Sequence, residues 1–388
     1  MSHRCFSHTH KFNLWLNRIV RWTNAHRKSG SEEQEEYYFY FHYLKVKCIV
    51  LRDILQKKIR SLKTHKLNDT ISKSEFDALT LDVFHYQYKY NAFYRQYCSL
   101  LGKEFSKVST ISDIPFLPIQ FFKNQVIKTG DWTTAETIFT SSGTTGATTS
   151  QHFVRDLVFY KDISILGFEE QYGSIRDYCV LGLLPSYLER TGSSLITMVE
   201  EFIKISNYTE SGFFLHNHAE LAEILRGCRD RQIPTLLIGV TFGLLDFIEE
   251  YALDFPNLIV METGGMKGRR KEMIRTELHD VLKKGFNCPY IHSEYGMTEL
   301  FSQGYSKQNG IFEPTPTLRV VTREINDPLS ITTQNGQLGV INVIDLGNLD
   351  TCSFIATDDL GRVYKDGTFE VLGRLDNSDM RGCNLLVI

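Results

Sequence analysis

Seven consecutive residues, Thr140, Ser141, Ser142, Gly143, Thr144, Thr145 and Gly146, gather hydroxyls and glycines into one short stretch after an apolar lead. Glycine lets the backbone turn its N–H groups toward one point, and hydroxyls add donors, so such a loop can hold a polyphosphate. It is not a Walker loop, because no Gly-Lys-Ser/Thr follows. By composition alone a flexible Ser/Thr/Gly linker is an equally good reading. Further along, SEYGMTE (Ser293 to Glu299) follows an expected strand and sets an aromatic, a hydroxyl and a carboxylate in fixed order. The ring of Tyr295 can stack on a purine, Thr298 can reach a phosphate oxygen, and Glu299 can hold Mg²⁺.

Three more segments carry the same kind of chemistry. Gly264 and Gly265, in METGGMKG, offer bare backbone on which a ligand ring can lie flat. ATDDLGRV places Asp358 and Asp359 at a turn, where a carboxylate can accept from two ribose hydroxyls. EVLGRLDNSDMRG adds Arg374 and Asp376. Each Asp or Arg alone reads as a turn former or surface ion pair. Together, in one chain order, the segments point to a nucleotide site.

These residues need a scaffold, and the texture of the chain supplies one. CVLGLL (179–184), TLLIGV (235–240) and LIVM (258–261) are short apolar runs that read as buried strands. They alternate with helical stretches such as Val154 to Tyr172 and Arg270 to Lys284, which argues for an α/β fold with a largely parallel sheet. Past Arg319 the runs GVINVIDL, SFIATDD and TFEVLGR predict antiparallel strands in a small barrel-like subdomain. A helix is expected from Ser74, with Asp77 three residues later as a weak capping box. IPFLPIQFFK interrupts the pattern, since Pro115 and Pro118 forbid a regular helix. Upstream, Asn13 to Ala25 and Glu33 to Arg60 read as helices around a linker, HRKSGSEEQEE. The expected division is a helical extension over 1–73, a large domain over 74–372 and a tail over 373–388.

Composition excludes some classes. With 388 residues the chain can bury a large core, and 26 Phe and 19 Tyr fill it or line bulky pockets. A formal net charge of −3 gives no field for nucleic acid or anionic lipid. No apolar stretch reaches the ~20 residues of a bilayer span, and the N-terminus has no signal-peptide core. Eight cysteines stand singly, without a CxxC, so a zinc ribbon is excluded and a reducing cytoplasm is the expected home.

Taken jointly, TSSGTTG, GG, SEYGMTE, TDDLGR and GRLDN resemble the adenylate-forming superfamily of acyl- and aryl-CoA ligases. Within it the chain is most similar to LuxE-type acyl-protein synthetases, through IPFLPIQFFK, FTSSGTTG with SQHF, LLPSYLERTGSSL, HSEYGMTELFSQGY, FIATDDLGR and DNSDMRGCNLLV. The resemblance covers roughly residues 75–388 and leaves the first ~70 outside. It implies the large-domain fold of that superfamily and the cofactors ATP and Mg²⁺. It also implies roles: residues 140–146 as the phosphate loop, Tyr295 on adenine, Thr298 at the α-phosphate and Glu299 on Mg²⁺. Gly264 and Gly265 would face the adenine, Asp359 would bind ribose with Asp358 as the alternative, Arg374 would open the hinge and Asp376 would be the hinge residue.

The chain departs from CoA ligases by ending soon after Arg374, where those relatives continue into a mobile domain with a catalytic lysine. An enzyme without that domain is therefore expected, and neither Lys267 nor Arg269 is an evident replacement. The resemblance assigns Cys383, in RGCNLLVI, as the thioester carrier, with Arg381 favouring the thiolate. Without the family, a lone Cys among apolar residues reads as inert. Cys352 reads as a packed strand residue, and His152 and His292 as satisfied structural histidines. The expected activity is conversion of a carboxylic acid, a fatty acid by resemblance, to acyl-adenylate, transfer to Cys383, then passage to an acyl-CoA-reductase-like partner. The rivals are a phenylacetate-CoA-ligase-type enzyme ending on free coenzyme A and a non-catalytic nucleotide- or partner-binding scaffold.

Overall fold

The computed structural model describes residues 32–63, 70–141, 149–185, 192–264, 270, 273–332 and 334–375. The chain divides into two compact units, residues 1–53 and 54–388. A long helix, Glu32–Arg60, matches the expected 33–60 segment. The stretch expected as a helix over 13–25 lies outside the described residues.

The second unit is built on fourteen strands. The first three are β1 (Leu117–Pro118), β2 (Thr137–Thr140) and β3 (Gln151–Val154). The apolar runs follow as β4 (Cys179–Leu183), β5 (Gly212–Phe214), β6 (Thr235–Val240) and β7 (Ile259–Thr263). Then come β8 (His292–Tyr295), β9 (Gly304–Ser306), β10 (Ile311–Pro314), β11 (Leu318–Arg323), β12 (Leu338–Asp345), β13 (Phe354–Val363) and β14 (Phe369–Arg374). Twelve of them form one sheet in the order β11-β12-β13-β14-β10-β9-β8-β7-β6-β4-β5, with β1 parallel to β13.

The sheet changes character at β8. From β5 through β4, β6 and β7 to β8 the pairing is parallel, and from β8 to β11 it is antiparallel. The reason is in the side chains. Every residue of β4 and β6 is buried, as continuous apolar runs require when helices cover both faces of a parallel sheet. Helices Leu157–Tyr172, Ser194–Ile205, His218–Asp230, Thr241–Glu250 and Arg275–Phe286 alternate with these strands. One core cluster joins Leu181, Leu237 and Val260 of the sheet to Leu225, Phe247 and Leu282 of those helices. Full burial of each such side chain contributes about 1.5–3 kcal/mol. The aromatic surplus goes mainly into the interior: Phe84, Phe139, Phe168, Tyr94 and Tyr160 are fully buried.

Three boundaries differ from expectation for local reasons. The helix expected from Val154 starts at Leu157, because Val154 completes β3 and the Asp156 side chain caps the helix by accepting from the Phe159 amide. The one expected from Arg270 runs over Arg275–Phe286 and ends where Asn287 turns left-handed, at φ 46°. The helix expected from Ser74 already runs from Thr70 to Tyr90, so Ser74 is an interior residue and not a cap. Asp77 instead pairs with Arg319 of β11.

One buried amide ties that helix to the sheet. The Gln87 Nε2 donates to the carbonyls of Asn348 at 2.9 Å and Leu349 at 3.2 Å and to Ser353 Oγ at 3.1 Å. Its Oε1 accepts from the Ser353 amide at 2.9 Å. Replacing Gln87 by Leu strands these groups out of water, and unsatisfied buried groups cost about 1–3 kcal/mol each. Gln87→Leu is expected to lower unfolding stability by about 3 kcal/mol, read as a lower denaturant midpoint with unchanged slope.

Candidate active site

In open α/β sheets ligands bind beyond the carboxyl ends of the strands, where the strand order changes sense. The strand order reverses at β4, and the sequence motifs follow the carboxyl ends of β7 and β8 in the same parallel half of the sheet. Gly264 follows β7 directly, is exposed, and has φ +74°, a backbone conformation that an L side chain adopts only with strain. Tyr295 ends β8, and Thr298 and Glu299 lie on the turn after it. Gly265, Lys267 and Arg269 fall outside the described residues, as do residues 186–190 of the LLPSYLERTGSSL segment.

The expected phosphate loop springs from a two-stranded ribbon. Thr140 ends β2 and pairs with Gln151 of β3. Just beyond, the Ser150 amide donates to Ser141 Oγ at 2.9 Å and the Ser141 amide to the Ser150 carbonyl at 3.2 Å. These bonds close the neck of the loop. Ser142, Gly143, Thr144, Thr145 and Gly146 lie outside the described residues. The neck also reaches the second motif, because Ser150 is close enough to the Glu299 carboxylate to favour its ionised form.

Glu299 is 5% exposed. Burial pushes its carboxyl above the ordinary carboxylate value, while Ser150 and the charges of Arg374 and Lys123 pull the other way. A buried carboxyl of this kind ionises readily only beside a cation. Among the described residues no three His, Cys, Asp or Glu side chains group as a metal cage. That donor set suits Mg²⁺, which is commonly held by one carboxylate together with substrate phosphates and water.

The turn carrying Thr298 and Glu299 is fixed from three sides. Asn348 Nδ2 donates to the Glu299 carbonyl at 2.7 Å. The Asp345 carboxylate accepts from the amides of Phe301 at 2.7 Å and Ser302 at 3.1 Å, from Ser302 Oγ at 2.6 Å and from the Gly347 amide at 2.9 Å. His152 Nδ1 lies 2.9 Å from the Thr298 carbonyl and Nε2 lies 3.0 Å from Thr351 Oγ1. A carbonyl only accepts, so Nδ1 carries the proton and Nε2 accepts from the threonine. His152 is thus a satisfied structural histidine. His292, whose Nδ1 lies 3.1 Å from the Tyr172 hydroxyl, is likewise partnered.

Asp359 and Asp358 separate cleanly. Asp358 is clamped by Gln120 Nε2, at 2.7 and 2.6 Å from its two oxygens. Asp359 is buried, accepts from the Tyr295 hydroxyl at 2.8 Å, and pairs with Arg374 Nε at 3.2 Å. Tyr295 packs edge-on against Phe312 and Phe369, and burial raises its phenol well above the ordinary value. Arg374 itself is 81% exposed. Asp376 and Cys383 lie outside the described residues, and Cys352 is buried in the sheet region, its thiol also raised by burial.

Sequence reasoning missed Gln120, Ser150 and Asp345 as parts of this site. Asp345 left a trace, an acid at the end of the apolar run GVINVID. Gln120 and Ser150 lie within the quoted segments IPFLPIQFFK and SQHF, but their partners are distant in sequence and gave them no individual signal.

Residues 55–168 match the model of the family described as acyl-protein synthetase, LuxE. Over this segment the chain resembles the LuxE acyl-protein synthetases. A long-chain-fatty-acid–luciferin-component ligase of Vibrio harveyi is 25% identical over 340 residues, covering 79% of this chain and 85% of that relative. The ligase of the same name from Aliivibrio fischeri is 22% identical over 340 residues, covering 80% and 86%. A crystal structure of 2-hydroxyisobutyryl-CoA ligase in an open conformation superposes with a TM-score of 0.57 at 13% identity, covering 78% of this chain and 76% of that one. At that identity the match shows the fold alone: the chain shares the α/β architecture of that CoA ligase. The family match begins at residue 55, inside the segment expected to fall outside the resemblance. There Leu55 and Ile59 are buried and Arg60 pairs with Asp162 at 2.8 Å.

Burial lowers the His152 pKa to about 4. Between that value and the unfolded value near 6.5 the unfolded chain holds a proton that the folded chain refuses, so stability falls as pH drops through this window. The largest slope for one such group is about 1.36 kcal/mol per pH unit. His292, also lowered to about 4 by burial, adds a second contribution. Equilibrium unfolding from pH 7 to pH 4 is expected to show this loss, with a shallower slope in His152→Gln.

Proposed function

We propose that the chain activates a carboxylic acid, fatty by analogy with the named relatives, with ATP and passes the acyl group to Cys383. The observation that carries this reading is the meeting of the loop neck with Glu299. Ser150, at the stem of the Ser/Thr/Gly loop, is near enough to act on the carboxylate after β8, so a triphosphate held by the loop would end beside that carboxylate. Tyr295, Gly264 and Asp359 frame the adjoining space.

The chemistry is charge management. A carboxylate oxygen attacks the α-phosphorus, the bond to pyrophosphate breaks, and an acyl-adenylate forms. Anion meets anion in that step, so donors must be in place before charge develops. The loop amides and hydroxyls and Thr298 would face the phosphates, and Glu299 would hold Mg²⁺, whose charge screens them. Asp359 would take the ribose, with Asp358 already committed to Gln120. In the second half the Cys383 sulfur attacks the acyl carbonyl, AMP leaves, and the thiol proton passes to solvent. The thioester would then serve a partner of the acyl-CoA-reductase kind. None of the six described cysteines is in a disulfide, which suits a reducing cytoplasm, and no described helix is long and apolar enough to cross a membrane.

Intact-protein mass spectrometry after incubation with Mg·ATP and a panel of acids tests the scheme. The wild type is expected to gain one acyl group, removable by hydroxylamine, and Cys383→Ser to gain none while still releasing pyrophosphate. Glu299→Gln is expected to slow pyrophosphate release by about 10²-fold, the scale for losing one preorganised electrostatic partner. Pyrophosphate release without any protein adduct, stimulated by coenzyme A, would favour a CoA-ligase ending. Absence of pyrophosphate release with every acid would leave a nucleotide-binding scaffold.

A further inference from the structure

Glu294 sits on the face of β8 opposite Tyr295, and the activation scheme leaves it unused. It pairs in register with Thr263 of β7 and Tyr305 of β9, so the three side chains share one face of the sheet. Thr263 Oγ1 donates to Glu294 Oε2. Oε1 has no hydrogen-bond partner among the described residues, and it lies so close to Gly296 that a Cβ there would come within 2.3 Å of it. Glu294 keeps part of its surface open, yet the protein packed around it raises its carboxyl to about 7, with the Glu262 charge adding to the effect. The Tyr305 hydroxyl, on a side chain 1% exposed, also has no partner among the described residues and feels the Glu294 charge.

An unsatisfied buried polar group costs about 1–3 kcal/mol, and the Tyr305 hydroxyl, beside the half-buried Glu294 carboxylate, calls for an explanation. Their position supplies it. Gly296 stands between Tyr295 and Thr298 with Glu294 Oε1 beside it, so an acid that met a phosphate at Thr298 and laid its chain along this face would meet Glu294 Oε1. An all-hydrocarbon chain laid there would strip water from the carboxylate and return nothing. A hydroxyl can donate to the carboxylate and accept from the phenol at once, whereas an ammonium group can only donate.

We infer that Glu294 and Tyr305 are a specificity-determining pair that selects an acid bearing a hydroxyl on its chain. The inference rests on the acid-activation reading above. It is tested by pyrophosphate release from the full chain with Mg·ATP, using chain-length-matched acids that are plain, hydroxylated at different carbons, or amino-substituted. The ratio of kcat/KM for the best hydroxy acid to that of its plain counterpart is expected to exceed about tenfold, since a site built to bond a substrate hydroxyl rejects the analogue lacking it. Tyr305→Phe and Glu294→Leu are each expected to lower that ratio at least severalfold, with folding checked by thermal melting. A wild-type ratio at or below one, a preference for the amino acid, or a ratio unmoved in folded variants would overturn the inference while leaving acid activation standing. If a variant fails to fold, the wild-type ratio still decides. Absence of pyrophosphate release with all acids would overturn the activation reading and this inference together.

Discussion

The Asp345 carboxylate, at 0% exposure, accepts four hydrogen bonds where β12 ends. Two come from consecutive amides just after Glu299, so this one side chain sets the path of the turn that presents Thr298 and Glu299. A buried carboxylate without partners would be prohibitively costly, and one with four donors is a rigid anchor. The anchor joins the two halves of the sheet, because β12 belongs to the antiparallel half and the turn leaves the last parallel strand. Asn348, three residues after Asp345, adds its bond to the Glu299 carbonyl from the same side. The site therefore exists only when both halves are folded together.

Around that anchor the charges are arranged by burial. His152 stays neutral and fixes the Thr298 carbonyl, adding no net charge at the phosphate site. Glu299 is held where its ionised form needs a cation, and the nearest basic groups acting on it, Arg374 and Lys123, belong to the flanking segments and not to the sheet core. Glu294 is also raised by burial, but its partners are a threonine and another acid. The two carboxyls thus sit in different electrostatic surroundings.

Much of this was legible in the sequence where the signal was local. Continuous apolar runs marked β4, β6 and β7, because strands buried on both faces must be apolar throughout. The loop neck at Thr140 and Ser141 and the turn at 295–299 were visible as clusters of residue types. What stayed hidden depends on contacts between distant residues. Ser74 and Asp77 look like a cap, yet the helix starts four residues earlier and Asp77 answers to Arg319, far along the chain. TDDLGR puts Asp359 forward with Asp358 as the alternative, and what bears on that choice, Gln120 reaching Asp358 from the segment after β1, is a contact between distant residues.

That choice has a consequence for the nucleotide. Asp359 already serves two donors, the Tyr295 hydroxyl on Oδ2 and Arg374 on Oδ1. An ionised carboxylate has about four acceptor positions, two on each oxygen. Two therefore remain, one per oxygen, enough for a pair of vicinal hydroxyls without displacing Tyr295 or Arg374. The bond from the Tyr295 hydroxyl to Asp359 holds the ring and this carboxylate together, so the two are positioned as one unit. Arg374, on the strand that ends beside them, adds a charge-assisted but mostly solvent-exposed pair, which is worth little in stability. Its place at the end of β14 matters more, because it ties the last described turn of the chain to the acceptor.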